Sequence, residues 1–349
     1  MRRMPSPRIA RRAALPAPRT LPVVASPADL APYVIGFHLI PDFPLMAFAA
    51  AIEPLRAANR LAGRKLFAWR LYSRDGAPVR ASNGIVIAVD AALAGAERVP
   101  MLLVCAGTAG PGPGDRAAGK ALRDLTRIGC TVGGISLGTY VLARAGLLDG
   151  RRCTLHWENQ AAFAEQFPRI RTTGDLFVVD GDRCTCSGGT AALDMMLHVI
   201  AARHGEALAN AVSEQFIHPR IRGAHDPQRM ALQSRLGVAS AQLLAAVEIM
   251  ENAIEEPREI RAIAAAAGVS CRQLERLFMR HLQRHPRVYY RELRLERARA
   301  LLRQTTRPIM DIAVACGFAS ASHFGRCYRA AYGCRPGDDR APRAQGGGA

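Results

Sequence analysis

No apolar run in this 349-residue chain approaches the ~20 residues that a membrane-spanning helix requires, so a helical membrane protein is excluded. The nine cysteines include no C-x-x-C pair. Their odd number and scatter argue against a disulfide framework and for buried thiols in a reducing cytoplasm. Cys184-x-Cys186 is too isolated for a zinc site, and no H-E-x-x-H spacing occurs, so neither metal nor cofactor is expected. Acidic residues are also short, 29 against 47 basic ones, which leaves a formal charge of +18. That balance favours an anionic partner, nucleic acid or a membrane surface. Lysine is nearly missing, with only Lys65 and Lys120, a bias that genome composition alone can produce.

What the chain does have is clearest near its C-terminus. Ile309, Ile312, Ala313 and Cys316 recur at three- and four-residue spacing, giving one apolar helical face. Gly317 stops that helix, because glycine adopts the left-handed cap without steric cost. Ser320 then caps a second helix whose inward residues are Phe324, Cys327 and Tyr328. Two short helices joined by a glycine turn make a helix-turn-helix or an ordinary helical hairpin. A second copy upstream favours the former: Ile260, Ile263, Ala264 and Ala267 form the face, Gly268 stops it, and Ser270 opens the next helix. The turn glycines lie roughly fifty residues apart, a spacing that signals duplicated units. Between them runs a helix over about 287–304, with Leu293, Leu295, Ala298, Leu301 and Leu302 as its apolar residues and arginine over most of the rest. Its length of roughly 27 Å suits two recognition helices about one DNA turn apart.

These residues resemble the AraC family of transcription activators. The matching elements are Ser270-x-Arg272-x-Leu274-x-Arg276-x-Phe278, Pro286-x-x-Tyr289, Arg294-Leu295-x-x-Ala298 and Ile309-x-Asp311-Ile312-Ala313-x-x-Cys316-Gly317-Phe318, followed by Ser320-x-Ser322-His323-Phe324. One departure closes the motif: the family's Gly-x-x-Pro-x-x-Tyr-Arg becomes Gly333-x-x-Pro336-x-x-Asp339-Arg340, without the aromatic.

Residues 1–30 are rich in arginine and proline and carry no apolar core of secretory type, so a disordered basic tail is expected there, with a second tail at 341–349. From Tyr33 the texture changes. Short apolar runs at 34–40 and 101–105, an alternating run at 67–72, and a run at 130–135 read as strands. Segments from about Pro44 to Leu61, from Asp115 to Arg127, and from the Ser136 turn through Leu148 read as helices, and Asn83-Gly84 marks a hairpin turn. Alternating strands and helices imply an α/β domain with a largely parallel sheet, whose ligands sit at the carboxyl ends of strands.

Gly134-Ile135-Ser136-Leu137-Gly138 matches G-x-S-x-G, the strand-to-helix elbow that exposes a serine. On that pattern alone, a hydrolase or amidase using Ser136 stands as the alternative reading. The wider context, Val104-Cys105-Ala106-Gly107, Ala143-Arg144-Ala145-Gly146-Leu147-Leu148-Asp149-Gly150 and Thr154-Leu155-His156-Trp157, resembles the DJ-1/PfpI, class I glutamine amidotransferase-like superfamily. Its enzymes carry cysteine at the elbow, usually followed by histidine, with an acidic residue from the first helix. Here Ser136-Leu137 occupies the elbow, Ala47 stands at the acidic position, and Glu53 lies two turns further on. Serine without a base is a poor nucleophile, so no catalytic residue is assigned. The elbow instead suits binding of an anion, and Trp157 beside Glu158 suits a cationic group. Phe43, Ser136, Leu137, His156, Trp157 and Glu158 are therefore the candidate effector contacts, for an amino-acid or betaine-like zwitterion. A part-buried core role for Trp157 and a solvated one for Glu158 stand beside that reading.

The combination is similar to the GlxA branch of regulators, on Phe48-Ala49-Ala50-Ala51-Ile52-Glu53-Pro54-Leu55-Arg56, His156-Trp157-Glu158-Asn159, Gln215-Phe216-Ile217-His218 and Asp226-Pro227-Gln228-Arg229-Met230. The resemblance implies activators of arginine, glycine betaine and carnitine catabolism. The expected organisation is a flavodoxin-like, DJ-1/PfpI-type α/β sensing domain over 31–205 and a linker with possible dimerisation role over 206–238. An all-α domain over 239–340 follows, with two helix-turn-helix motifs joined by a long helix. Arg272, Gln273, Glu275 and Arg276 in the first motif and Ala321, Ser322, His323 and Arg326 in the second are the candidate DNA contacts. Double-stranded promoter DNA, a small-molecule effector, RNA polymerase and a second copy of the chain are the expected partners, in the cytoplasm and without a membrane.

Overall fold

The computed structural model describes residues 31–96, 99–107 and 116–340; the two expected tails lie outside them. The first half runs β1 (Tyr33–Leu39), α1 (Leu45–Ala62), β2 (Phe67–Ser73), β3 (Val79–Arg80), β4 (Val86–Ile87), β5 (Ala91–Ala92), β6 (Met101–Ala106), α2 (Arg116–Arg127), β7 (Thr131–Ser136) and α3 (Gly138–Arg144). It continues through β8 (Arg152–Cys153), a 3-10 turn at Trp157–Asn159, α4 (Gln160–Gln166), β9 (Arg171–Thr172), β10 (Phe177–Asp180), β11 (Arg183–Cys186), α5 (Ala191–His204) and α6 (Glu206–Gln215). Seven strands form one sheet in the order β10-β11-β7-β6-β1-β2-β5. All its pairs are parallel except β10 with β11. β3 and β4 pair as the small hairpin that Asn83-Gly84 announces.

Both sheet faces are covered, which is why the central strands read as unbroken apolar runs rather than alternating ones. Phe37, Leu103 and Ile135 point into a core completed by Phe48 and Leu55 of α1, Met195 and Ile200 of α5, and Val212 of α6. Leu102, Val104 and Val132 point the other way, onto Leu122 of α2, Leu142 of α3 and Phe163 of α4. The stretch expected to be a linker from residue 206 therefore starts as a helix of this domain, because Ala209 and Val212 are fully buried in its core. α3 ends at Arg144, earlier than the expected Leu148: Gly146 turns left-handed at φ +70° and Leu147 N–H reaches back to Leu142 O at 3.0 Å.

The C-terminal half comprises α7 (Leu232–Leu236), α8 (Ala241–Asn252), α9 (Ile260–Ala266), α10 (Cys271–Leu282), α11 (Pro286–Gln304), α12 (Ile309–Ala315) and α13 (Ala321–Tyr332). α9–α10 and α12–α13 are the two helix-turn-helix units. Each has its own core and α11 belongs to both. Tyr290 joins Leu243, Val247, Met250, Ile263, Leu274 and Phe278 in the first core. Leu295, Ala298, Leu301 and Leu302 join Ile312, Cys316, Phe324 and Tyr328 in the second. Six of the nine cysteines are buried; Cys271 is exposed and Cys327 and Cys334 are half-buried, so the expectation of buried thiols fails for those three.

The missing terminal aromatic is replaced by a polar clasp. Asp339 receives Arg299 Nε at 2.7 Å, Arg303 Nη2 at 2.7 Å and the Tyr328 hydroxyl at 2.8 Å, tying the chain end to α11 and α13. Burial works against the carboxylate's charge, but the hydrogen bonds from Arg303, Tyr328 and Arg299 prevail and hold its pKa down at about 2, against an ordinary 3.8. A folded pKa below the unfolded one stabilises fully above the unfolded value and is lost as pH falls through the folded one. Acid titration of the C-terminal domain should therefore show a loss of unfolding midpoint between pH 3.8 and about 2. Asp339→Asn should start from a lower midpoint at neutral pH and lose less over that window.

Candidate functional site

The elbow is built by close approach. A Cβ on Gly138 would lie 1.9 Å from Val104 O, and one on Gly134 would lie 2.5 Å from Thr139 N, so only glycines let α3 settle over β6 and β7. Ser136 ends β7 opposite Ala106 and adopts φ +57°, the left-handed region that an L-residue occupies only under strain. The strained serine of a nucleophile elbow is thus retained. The means of activating it are not: among the described residues no histidine or carboxylate is hydrogen-bonded to Ser136 Oγ. Ala47 is fully buried where an acid would be needed, and Glu53 pairs instead with Arg56 at 2.6 Å on the solvent side of α1. Burial pushes the Cys186 thiol up to about 12, against the lowering influence of the Gly188 and Ser136 amides, which leaves no thiolate at hand. Gly188 packs directly on the serine, a Cβ there lying 2.7 Å from Ser136 Cβ.

The other candidate effector residues divide. Ser136 and Leu137 are 7% and 4% exposed and form the floor of the elbow, with Leu137 N–H donating to Ala106 O. Phe43 is a correction: it is fully buried, edge-on to Phe48 at 5.7 Å, and fills the core instead of lining a site. His156, Trp157 and Glu158 occupy an open strip, with Trp157 39% exposed. The His156 and Trp157 rings lie 5.6 Å apart, and His156 Nδ1 is 3.8 Å from Glu158 Oε2. The strip is fastened to the helix that leaves the elbow, because Thr139 Oγ1 donates to Thr154 O at 2.9 Å and the Tyr140 hydroxyl to Asn159 O at 3.4 Å.

Residues 216–231 complete this region, which the sequence did not foretell. Gln228 Nε2 donates to Thr154 Oγ1, Leu155 O and Asp175 O at 2.9, 3.1 and 2.8 Å. Arg229 lies over the Trp157 ring, 4.6 Å from its centroid. His218, inside the expected linker, is 3.0 Å from Oδ1 of the fully buried Asp194, which also receives Arg222 Nη2 at 2.7 Å. Burying that carboxylate is tolerable only because these partners surround it. The available cues were the Gln215-to-His218 and Asp226-to-Met230 motifs, which have no periodicity to say what they touch.

The C-terminal candidates all face solvent. Arg272, Gln273, Glu275 and Arg276 are exposed on α10, while Leu274 and Phe278 anchor its other face. Ala321, Ser322, His323 and Arg326 are exposed on α13 above Phe324 and Tyr328. Both helices start with a serine cap: Ser270 accepts from Gln273 N–H at 3.2 Å and Ser320 from His323 N–H at 3.2 Å. Gln273 Oε1 closes a capping box by accepting from Ser270 N–H at 2.9 Å, so that residue also has a structural task. The arginines that cover most of α11 are partly spoken for. Arg294 donates to Cys316 O at 2.8 Å and Gly317 O at 2.5 Å and lies over Phe318, while Arg299 and Arg303 hold Asp339. Arg287 and Arg291 stay exposed. Among the described residues no cluster of three or more His, Cys, Asp or Glu has the makings of a metal site, and no helix is long and apolar enough to cross a membrane.

Comparison with known proteins agrees with both halves. The DJ-1/PfpI family matches residues 45–202 and a helix-turn-helix domain family matches residues 263–341. The HTH-type transcriptional regulator GbdR of Pseudomonas aeruginosa is 45% identical over 314 residues, covering 90% of this chain and 86% of that protein. The HTH-type transcriptional regulator GlxA of Rhizobium meliloti is 42% identical over 307 residues, 88% and 95% of the two chains. The chain belongs to the GlxA/GbdR-type HTH transcriptional regulators. A crystal structure of an AraC family transcriptional regulator from Pseudomonas putida, 30% identical, superposes with a TM-score of 0.50 over 53% of this chain and all of that one. A GlxA/GbdR-type regulator is a DNA-binding transcriptional regulator that joins a DJ-1/PfpI domain to a helix-turn-helix domain.

Within this regulator Arg294 is a clamp on the turn that orients α13. Hydrogen bonds to a charged group contribute about 1.5–3 kcal/mol each to such a structure. Arg294→Met, which keeps the stem and removes both carbonyl contacts, should lower C-terminal-domain stability by at least about that amount. Denaturant midpoints of the two proteins check this.

Proposed function

We propose that the regulator is an effector-responsive activator of genes for amino-acid or quaternary-amine catabolism. It works in the cytoplasm as a homodimer that binds promoter DNA and engages RNA polymerase. Its effector is a zwitterion whose cationic head meets Trp157 and Glu158 and whose anionic end is directed toward the Ser136–Leu137 floor. The observation that carries this reading is the position of the His156–Trp157–Glu158 strip. Thr139 and Tyr140 tie it to the elbow helix on one side, and its 3-10 turn and α4 pack against α11 on the other. Ala162 of α4 sits within the core of the second helix-turn-helix unit, beside Leu295 and Ala298. A ligand on the strip therefore touches the same short segment that supports the helix shared by both DNA-reading units. It acts by the difference in its affinity for two arrangements of that support.

On the output side, Arg272, Glu275 and Arg276 reach the first major groove and Ala321, Ser322, His323 and Arg326 the second; the capping role of Gln273 leaves its amide nitrogen to reach DNA. Arg276→Ala should weaken operator binding by about 1–3 kcal/mol if it makes a bidentate guanine contact, and relax specificity at one position. Titration of operator against random duplex at fixed salt measures this, and an unchanged operator affinity removes Arg276 from the reading set. On the input side, a thermal-shift screen of the full chain with arginine, betaines, carnitine and related amino acids should find a stabilising compound. A flat screen throughout would leave the domain as a dimerisation scaffold.

A further inference from the structure

The Trp157 face is already occupied by a cation of the chain itself. The Arg229 guanidinium carbon lies 4.6 Å from the indole centroid, within the range of a cation–π interaction. On its other side Arg229 Nη1 lies 3.8 Å from Glu251 Oε1 of α8, and the arginine side chain is 42% exposed. The backbone that carries it is held independently. Upstream, Gln228 makes its three hydrogen bonds to Thr154, Leu155 and Asp175, and Pro227 bridges Asp175. Downstream, Arg235 grips the same Glu251 with contacts of 2.8 and 2.9 Å. Arg229 is thus the loosely held member of a well-anchored segment. It spans from the sensor strip to a helix whose Val247 and Met250 belong to the first helix-turn-helix core.

We infer that Arg229 is a built-in stand-in for the cationic head of the effector: it covers Trp157, and the effector evicts it. This rests on the effector reading given above and adds how that site is regulated. One indole face takes one cation at van der Waals distance, and a second would meet the first with like charge. Eviction does not strand the guanidinium, because Glu251 lies within its reach on the DNA-binding side. The exchange moves a charge from the sensor strip toward α8, a physical link from ligand to the first recognition unit. It also sets the response threshold, since an effector that competes with a resident group binds only in the fraction of molecules where that group is away.

The chain has two tryptophans, so Trp69→Phe leaves Trp157 as the sole indole reporter in the full-length protein. The probe is tetramethylammonium chloride, titrated against sodium chloride at matched ionic strength. In this background Arg229→Gln should change Trp157 emission before any probe is added, and should tighten tetramethylammonium binding roughly threefold or more. Arg229→Lys, which keeps the charge, should fall between the two. Equal emission and equal affinity in the parent and Arg229→Gln would overturn the inference. So would weaker binding by Arg229→Gln, which would make the arginine a ligand contact and not a competitor, and so would the absence of any tetramethylammonium response in both. The effector reading is judged separately by the thermal-shift screen. A stabilising compound that leaves Trp157 emission untouched sinks the stand-in alone, whereas a screen without any stabilising compound sinks the reading beneath it.

Discussion

One helix serves two cores, and most of the molecule is arranged around that economy. α11 gives Tyr290 to the first helix-turn-helix unit and Leu295, Ala298, Leu301 and Leu302 to the second. Nineteen residues of helix span roughly 28 Å, so the two units are held apart by a rod and not by a hinge. A rod of that kind fixes the separation of recognition helices only while both ends are packed. The contacts that at first look like ornament on α11 are what keep it so. Arg294 fastens the α12–α13 turn, Arg299 and Arg303 fasten the chain end through Asp339, and Tyr290 fastens the Ala253 carbonyl.

The DJ-1/PfpI domain likewise owes its shape to a few close contacts. Its glycines at 134 and 138 admit α3 to the sheet and its strained Ser136 keeps the elbow's shape, but Ala47 is buried in place of an acid and the nearby thiol is protonated. Geometry and reactivity have been separated: the elbow at the end of a parallel sheet keeps its shape, while among the described residues no histidine or carboxylate is hydrogen-bonded to the serine.

The features that were legible from sequence are those whose causes lie within a dozen residues. Apolar residues at three- and four-residue spacing, Gly268 or Gly317 at a turn and Ser270 or Ser320 at a cap specify each helix-turn-helix unit locally. Gly134-x-Ser136-x-Gly138 likewise specifies an elbow by sterics that act between adjacent elements. The features that escaped are pairings across long separations. Arg229 lies over Trp157, Gln228 reaches Thr154, and His218 and Arg222 meet Asp194, all through tertiary placement that no periodicity encodes. Phe43 was misjudged because an aromatic after a first strand can line a site or fill a core, and only the position of Phe48 decides. The Tyr-to-Asp change at 339 was visible, but its remedy was not, since the three groups that receive the carboxylate come from two other helices.

Ala162 has a consequence for how the two halves depend on one another. It belongs by chain order to the DJ-1/PfpI domain and by packing to the second helix-turn-helix unit, where it is 1% exposed. A fragment cut between the halves would carry an unfilled apolar notch on α11, and the DJ-1/PfpI domain would show a bare methyl-sized knob. Regulator and reader are in this sense one folded object with two addresses, and each is incomplete as a separate part.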